Sequence, residues 1–361
     1  MGQSLDQLTL EGFKSIRELR DFKLEKLNVL IGPNGAGKSN FVDFFRLLRA
    51  MADGNLAAFV AKHGKAANFF FDGPKATPQI HAKLKFGPYL YDFSLEPTQT
   101  NEVLIEERLP KKSGGSWLLG PKPEPSLKDW KPKAADAPSY QGEIYRALSG
   151  QTVYHFQDTG MFAPMRRETS SRDFRELAPD AGNIAAFLWK LQKAEPPCYQ
   201  RIRETIQIIA PFFDDFLLEP EGDQQLVRLE WRQKGSRFPF QPWNFSDGTI
   251  RFICLTTALL QPNPPSTIII DEPELGLHPR ALEVFASLVQ EVSQTTQIIV
   301  STQSATLVDH FQPNDIIVVQ REGNASTFRR LDSTEFDTWL EEYSLSDLVR
   351  KNVIEAGPVH G

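Results

Sequence analysis

The sequence predicts an α/β protein with a mixed core sheet, an antiparallel β subdomain and a helical lobe. Three observations carry this. Short apolar runs at residues 27–31 and 268–270 alternate with segments whose apolar residues recur at helical spacing, such as Phe41, Phe44, Phe45 and Leu48. Between about residues 70 and 112 apolar and polar residues alternate instead, as half-buried antiparallel strands do. From 182 to about 216 the pattern reads as helices.

In chain order, residues 8–19 read as a strand with a bend at a glycine, and 27–31 as a short buried strand ending at Gly32. A helix covers 40–51. Residues 80–86 and 89–97 are two antiparallel strands. Residues 111–133, rich in Pro, Gly and Lys, form the most basic stretch. A solvated loop is its ordinary reading, and contact with a nucleic-acid backbone its sharper one. Residues 152–158 are a short strand leading into an arginine-bearing segment at 165–177. A hairpin is expected over 219–240. The stretch NFSDGTIRF (244–252) looks like a helix start, with Ser246 or Asp247 as cap. Such an end attracts anions. Residues 266–274 are a buried strand ending in acids, 279–294 a helix, 296–304 a second buried strand, and 315–331 a hairpin turning at Gly323 and Asn324.

The 361 residues carry a net charge of -6, which gives no global signal for nucleic acid but leaves a local basic patch open. Cys198 and Cys254 lie far apart without metal spacing, as fits a reducing cytoplasm. No apolar run is long enough to cross a bilayer, no secretory signal opens the chain, and Asp6 stands where a myristoylation motif wants Ser or Thr. A soluble cytoplasmic protein without membrane contact is expected. There is no internal repeat and no sustained heptad.

GPNGAGKSN comprises Gly32, Pro33, Asn34, Gly35, Ala36, Gly37, Lys38, Ser39 and Asn40, at the spacing of a phosphate-binding loop between an apolar strand and a helix. The glycines let backbone N–H groups curl around phosphates. Lys38 reaches the β- and γ-phosphates, and the Ser39 hydroxyl ligates Mg²⁺. Asp271 leaves a buried strand at its carboxyl end, where ligands of open α/β sheets bind. It would hold Mg²⁺ through water, and Glu272 beside it would polarise an attacking water.

These motifs, with GFKSI, YHFQD, NFSDGTIRF, IIIDEPELGLHP and IIVSTQSATLVD, resemble the ABC-type ATPases of the RecF/SMC/Rad50-like group, and within it the bacterial AAA_21 or OLD-like ATPases. The resemblance spans residues 8 to about 309 and implies an ABC-type P-loop head that uses ATP and Mg²⁺. It implies that Gln157 touches Mg²⁺ and the attacking water. Ser246 and the Gly248 backbone would meet the γ-phosphate bound by a second copy, and residues 276–279 would cross the dimer interface. A homodimer closed by ATP follows, acting as a switch in DNA maintenance or phage defence. A higher oligomer and DNA contact stay open. The whole chain, 1–361, would be one domain with an N-terminal lobe (1–156), a helical lobe (157–245) and a C-terminal lobe (246–361).

Three departures matter. Asp247 puts a negative charge in the signature, where it would cap the helix or meet Arg251. Gln303 stands where the family pattern has His, and an amide cannot carry positive charge, so slow hydrolysis is expected. No coiled-coil arm interrupts the head. OLD-like relatives often carry a TOPRIM nuclease after the head. Too few residues follow Asp271 for one here, so any nuclease or effector would be a separate chain.

Other residues have plainer readings. His278 suits a helix cap, and His155 a core or sheet position. Lys14 is either a nucleotide-facing or a solvated lysine. Arg166, Arg167, Arg172 and Arg175 would form ion pairs by default, or a DNA-facing surface. Asp214 and Asp215 lack a third metal ligand. A transporter subunit and an assembly scaffold that never touches DNA are the competing functions.

Overall fold

Nearly the whole chain is described by a computed structural model: residues 2–110, 115–133, 139–334, 342–351 and 354. It divides into two units, which interleave along the chain. One comprises Met1–Thr152, Pro265–Ile269 and Thr295–Gly361, the other Val153–Pro264 and Ile270–Gln294.

The first unit opens with β1 (Gln7–Phe13) and β2 (Ile16–Lys23), an antiparallel hairpin where one bent strand is expected. The reversal falls two residues past the glycine. Lys14 takes φ 49 and its N–H donates to Phe69 O at 2.7 Å. That long-range partner holds a left-handed conformation which local sequence would not choose. The hairpin precedes β3 (Leu27–Ile31) and the helices α1 (Lys38–Ala52) and α2 (Leu56–Lys62). Strands β4 (Ile80–Phe86), β5 (Tyr89–Pro97), β6 (Val103–Pro110) and β7 (Ser116–Lys122) complete an antiparallel sheet in the order β2-β1-β4-β5-β6-β7.

The basic stretch is thus part edge strand and part 3₁₀ turn (Ser126–Trp130), while residues 111–114 lie outside the described ones. Its Lys122 ammonium stands 3.3 Å from the fully buried Glu107 carboxylate, which also accepts from Tyr91 Oη and Ser126 N at 2.8 Å each. A buried carboxylate needs such partners, so this lysine is tied to the sheet.

After α3 (Tyr140–Ser149) come β8 (Gln151–Tyr154) and, far along the chain, β14 (Thr267–Asp271), β15 (Gln297–Thr302), β16 (Ile316–Glu322) and β17 (Ala325–Arg330). The core sheet runs β17-β16-β3-β15-β14-β8. β3 pairs in parallel with β15 and β16, while β16 and β17 pair antiparallel through the turn at Gly323, so the sheet is mixed as expected. Strands β3, β14 and β15 are buried along their whole length, as a sheet covered on both faces requires. α1 buries Phe41, Phe44 and Phe45, worth roughly 1.5–3 kcal/mol each. α8 (Ala305–Val308) and α9 (Leu345–Arg350) close this unit.

The second unit holds α4 (Ile184–Ala194), α5 (Pro196–Ile209), α6 (Asp247–Leu260) and α7 (Pro279–Ser293). β9 (Thr169–Ser170) pairs with β11 (Leu226–Val227). A small sheet runs β10 (Phe213–Leu217), β12 (Glu230–Gln233), β13 (Pro239–Phe240). β10 was expected to be helical. Phe213 and Phe216 instead pack against Phe245, and Phe213 also against Trp231. Pairing with β12 supplies the backbone bonds a helix would have made. Among the described residues no helix is long and apolar enough to cross a membrane.

Candidate functional site

In the first unit the phosphate loop joins β3 to α1. A Cβ at Gly32 would stand 2.1 Å from Val319 O, and one at Gly37 (φ +114) 2.0 Å from Ser326 Oγ. Both positions therefore require glycine to pack on the β16–β17 hairpin. Gly35 (φ +79) faces open space. Lys38 is buried, and its ammonium donates to Gly32 O at 2.6 Å and Pro33 O at 3.1 Å. Gly37, the N-cap of α1, offers no side chain to the first-turn N–H groups, leaving them to an anion.

Ser15 and Ser326 support this loop, which motif reading did not reveal. Ser15 Oγ accepts from Asn40 Nδ2 at 2.7 Å, and Ser326 Oγ lies 2.7 Å from Ser15 Oγ and 2.5 Å from Ala36 O. Ser15 at least sits inside GFKSI; nothing local marks Ser326. Lys14 is neither solvated nor a plain strand residue, because it sits in the β1–β2 turn paired with Asp43. Burial alone would raise the Asp43 carboxyl, yet Lys14 and Arg46 hold it below the usual range. Gln303 is exposed just past the end of β15.

In the second unit, Asp271 is 5% exposed at the end of β14. Glu272 follows at φ 51, a left-handed conformation that costs a non-glycine residue about 1–3 kcal/mol and tends to mark functional sites. Its Oε2 accepts a hydrogen bond from Gln157 Nε2 at 2.8 Å. Gln157 lies beyond β8, which ends at Tyr154. His155 Nδ1 is 3.8 Å from Asp271 Oδ2, outside the strand where it was expected.

Around NFSDGTIRF, Ser246 is the N-cap of α6, its Oγ accepting from Thr249 N at 3.2 Å. Asp247 neither caps the helix nor pairs with Arg251: its carboxylate bonds Arg166 Nη2 at 3.0 Å. The buried Arg166 also donates to Thr159 O, Pro242 O and Phe245 O, so it braces the turn that precedes α6 rather than facing DNA. Arg251, 5% exposed, is committed to backbone oxygens. It donates through Nε to Phe156 O and through Nη2 to Gln157 O, both at 2.9 Å, and through Nη1 to Leu275 O. His278 caps α7, its Nδ1 accepting from Arg280 N at 3.4 Å.

Gly248 meets Gly276 so closely that a Cβ there would stand 2.2 Å from Gly276 O. Gly248→Ala should therefore cost about 1–3 kcal/mol through a forced backbone shift; an unchanged midpoint in urea unfolding would refute this tight approach.

Among the described residues no three His, Cys, Asp or Glu side chains gather as a metal site. The residues expected at Mg²⁺, namely Ser39, Gln157 and Asp271, offer hydroxyl, amide and carboxylate oxygens. These suit a Mg²⁺ that keeps waters and rides on nucleotide phosphates. The glycine cradle and uncapped α1 fit the triphosphate, so the donor set fits ATP with Mg²⁺, which would supply charge neutralisation at the phosphates.

The family model described as "AAA domain, putative AbiEii toxin, Type IV TA system" (AAA_21) matches residues 27–309. Comparison with curated proteins gives no match. Among solved structures, the chain is similar to an Smc head bound to the C-winged helix domain of ScpA, with TM-score 0.58 and 17% identity, covering 93% of this chain and 99% of that one. It is also similar to an Smc head with an extended coiled coil, bound to the C-terminal domain of ScpA derived from Pyrococcus furiosus. That match has TM-score 0.55 and 16% identity and covers 94% of this chain and 99% of the other. At such identity the likeness shows the fold alone, that of an Smc head domain.

Proposed function

The chain belongs to the AAA_21 family, and on that premise we propose that it is a cytoplasmic ABC-type head that binds and slowly hydrolyses ATP. It dimerises around ATP and acts as a molecular switch in DNA maintenance or anti-phage defence, regulating a separate nuclease or effector chain. The observation that carries this reading is the bond between Gln157 and Glu272, an amide and a carboxylate joined at 2.8 Å at the end of β14. That pair is suited to hold and deprotonate a water.

In this reading Gly32 to Asn40 cradle the phosphates, with Lys38 turning from its carbonyl partners to the β- and γ-phosphates. Ser39, Gln157 and Asp271 would hold Mg²⁺, Asp271 through water, and the ion would supply charge neutralisation at the phosphates. Glu272 takes the proton of the attacking water, and Gln303 contacts the γ-phosphate without adding charge. Ser246 and the Gly248 N–H reach the nucleotide of the second copy. The γ-phosphate then favours the closed dimer because both copies bind it, and hydrolysis removes that shared ligand. The Smc heads similar in fold were crystallised with ScpA, a separate chain, which supports placing the effector on another polypeptide.

Two measurements test this reading. Ser246→Arg should leave ATP affinity within about twofold of wild type and abolish ATP-driven dimerisation by light scattering. Loss of ATP binding instead would assign Ser246 to its own pocket and sink the two-headed arrangement. Steady-state turnover should stay below about ten per second, the typical enzyme median; a faster rate would refute the role given to Gln303.

A further inference from the structure

We propose that the β12–β13 hairpin of the second unit is a stacking platform for single-stranded nucleic acid. The proposal deepens the DNA-maintenance reading and rests on it, naming the class of nucleic acid and the place that takes it.

A row of aromatic rings crosses this hairpin. Phe238 meets Phe240 edge-on at 6.3 Å, Phe240 stacks on Trp231 at 4.7 Å, and Phe212 lies 5.7 Å from Trp231. The middle is rigid, because Trp231 is stacked between Phe240 and Phe245, the latter at 4.5 Å and 16°. The ends are open. Phe238 is 72% exposed and Phe212 43%, and Trp243, just past β13, is 56% exposed. Large aromatics left in water on a rigid element are a cost to the free protein, and they mark a binding surface.

Charge names the occupant. The turn of the hairpin carries the exposed Lys234 and Arg237, for which no acidic partner is found among the described residues. Arg232, by contrast, is spent on Asp214 at 2.7 Å. Lys234 is fixed beside Phe212, its N–H donating to Phe212 O at 2.9 Å. Two cations set among exposed flat rings match a polyanion whose bases are free to stack. A second copy of the same patch would bring the same two cations and no opposite charge on this hairpin turn to meet them. A duplex hides its base faces and would use the cations alone.

The test is fluorescence anisotropy with fluorescein-labelled oligo-dT and no nucleotide present, so that failure of the ATP-driven dimer and failure of this site are read separately. Wild-type protein should bind with salt-dependent affinity and quench Trp243 emission. Phe238→Ala and Trp243→Ala should each weaken binding about tenfold, or about 1.4 kcal/mol. The double variant Lys234→Gln with Arg237→Gln should flatten the log-affinity against log-salt slope by roughly 1.4, at about 0.7 per single-strand phosphate contact. All four side chains are exposed, and retained ATP binding checks the fold. No binding by wild type, equal affinity for a duplex of the same length, or affinity unchanged in every variant overturns the proposal and gives the surface to a protein partner.

Discussion

Glu272→Gln is expected to bind ATP, to hydrolyse it about 10²–10⁴-fold more slowly, the span general-base catalysis supplies, and to accumulate as an ATP-bound dimer. The substitution isolates chemistry from shape. Gln157 Nε2 donates to Glu272 Oε2, and an amide oxygen at that position accepts the same bond. The left-handed φ of 51 is no harder for Gln than for Glu, so the strained backbone is carried over too. Only the basicity is lost. Light scattering with ATP and Mg²⁺ should show the doubled mass, and a persistent monomer holding ATP would sink the two-headed mechanism. Gln157→Ala is the control: it keeps the base but removes the amide that donates to its carboxylate, so turnover should fall without the dimer being trapped.

The phosphate loop was legible because its spacing is local: the glycines, Lys38 and Ser39 fall within eight residues between an apolar strand and a helix. The packing that forbids a Cβ at Gly32 and Gly37 comes from the distant Val319 and Ser326 and was not legible. The antiparallel strands 80–86 and 89–97 were legible for a similar reason, since alternation over a few residues fixes which face is buried. What was not legible depends on partners far along the chain. The turn at Lys14 waits on Phe69, β10 on Trp231 and Phe245, and Asp247 on Arg166. Arg251 shows the limit best. Its sequence neighbourhood offers Asp247 as a natural partner, whereas the fold gives it carbonyls 95, 94 and 24 residues away. Propensity and spacing carry no information about such a bond.

Arg251→Ala is expected to lower stability by about 3–4 kcal/mol and to reduce ATP turnover beyond what that loss explains. Burial pulls this guanidinium below its ordinary pKa, with Asp247 foremost among the groups opposing the shift, and it stays charged at any working pH. Three backbone oxygens, of Phe156, Gln157 and Leu275, accept its hydrogen bonds. Alanine strands them, and each buried acceptor left unpaired costs about 1–3 kcal/mol, less where water can enter. Lysine is a poor substitute, because one ammonium cannot span the fork that Nε, Nη1 and Nη2 span together. The same three oxygens flank the Gln157 amide and the segment following Glu272, so helix α6 and the proposed water-holding pair share one anchor. Gly276 at φ +70 makes room for it, since a Cβ there would stand 2.9 Å from Arg251 Nη1. Urea unfolding gives the stability loss, and turnover measured at a temperature where the variant is fully folded gives the positioning effect. A wild-type urea midpoint would refute the anchor. Wild-type turnover in a destabilised but folded variant would reduce Arg251 to a packing residue, and the placing of Gln157 and Glu272 would then not depend on it.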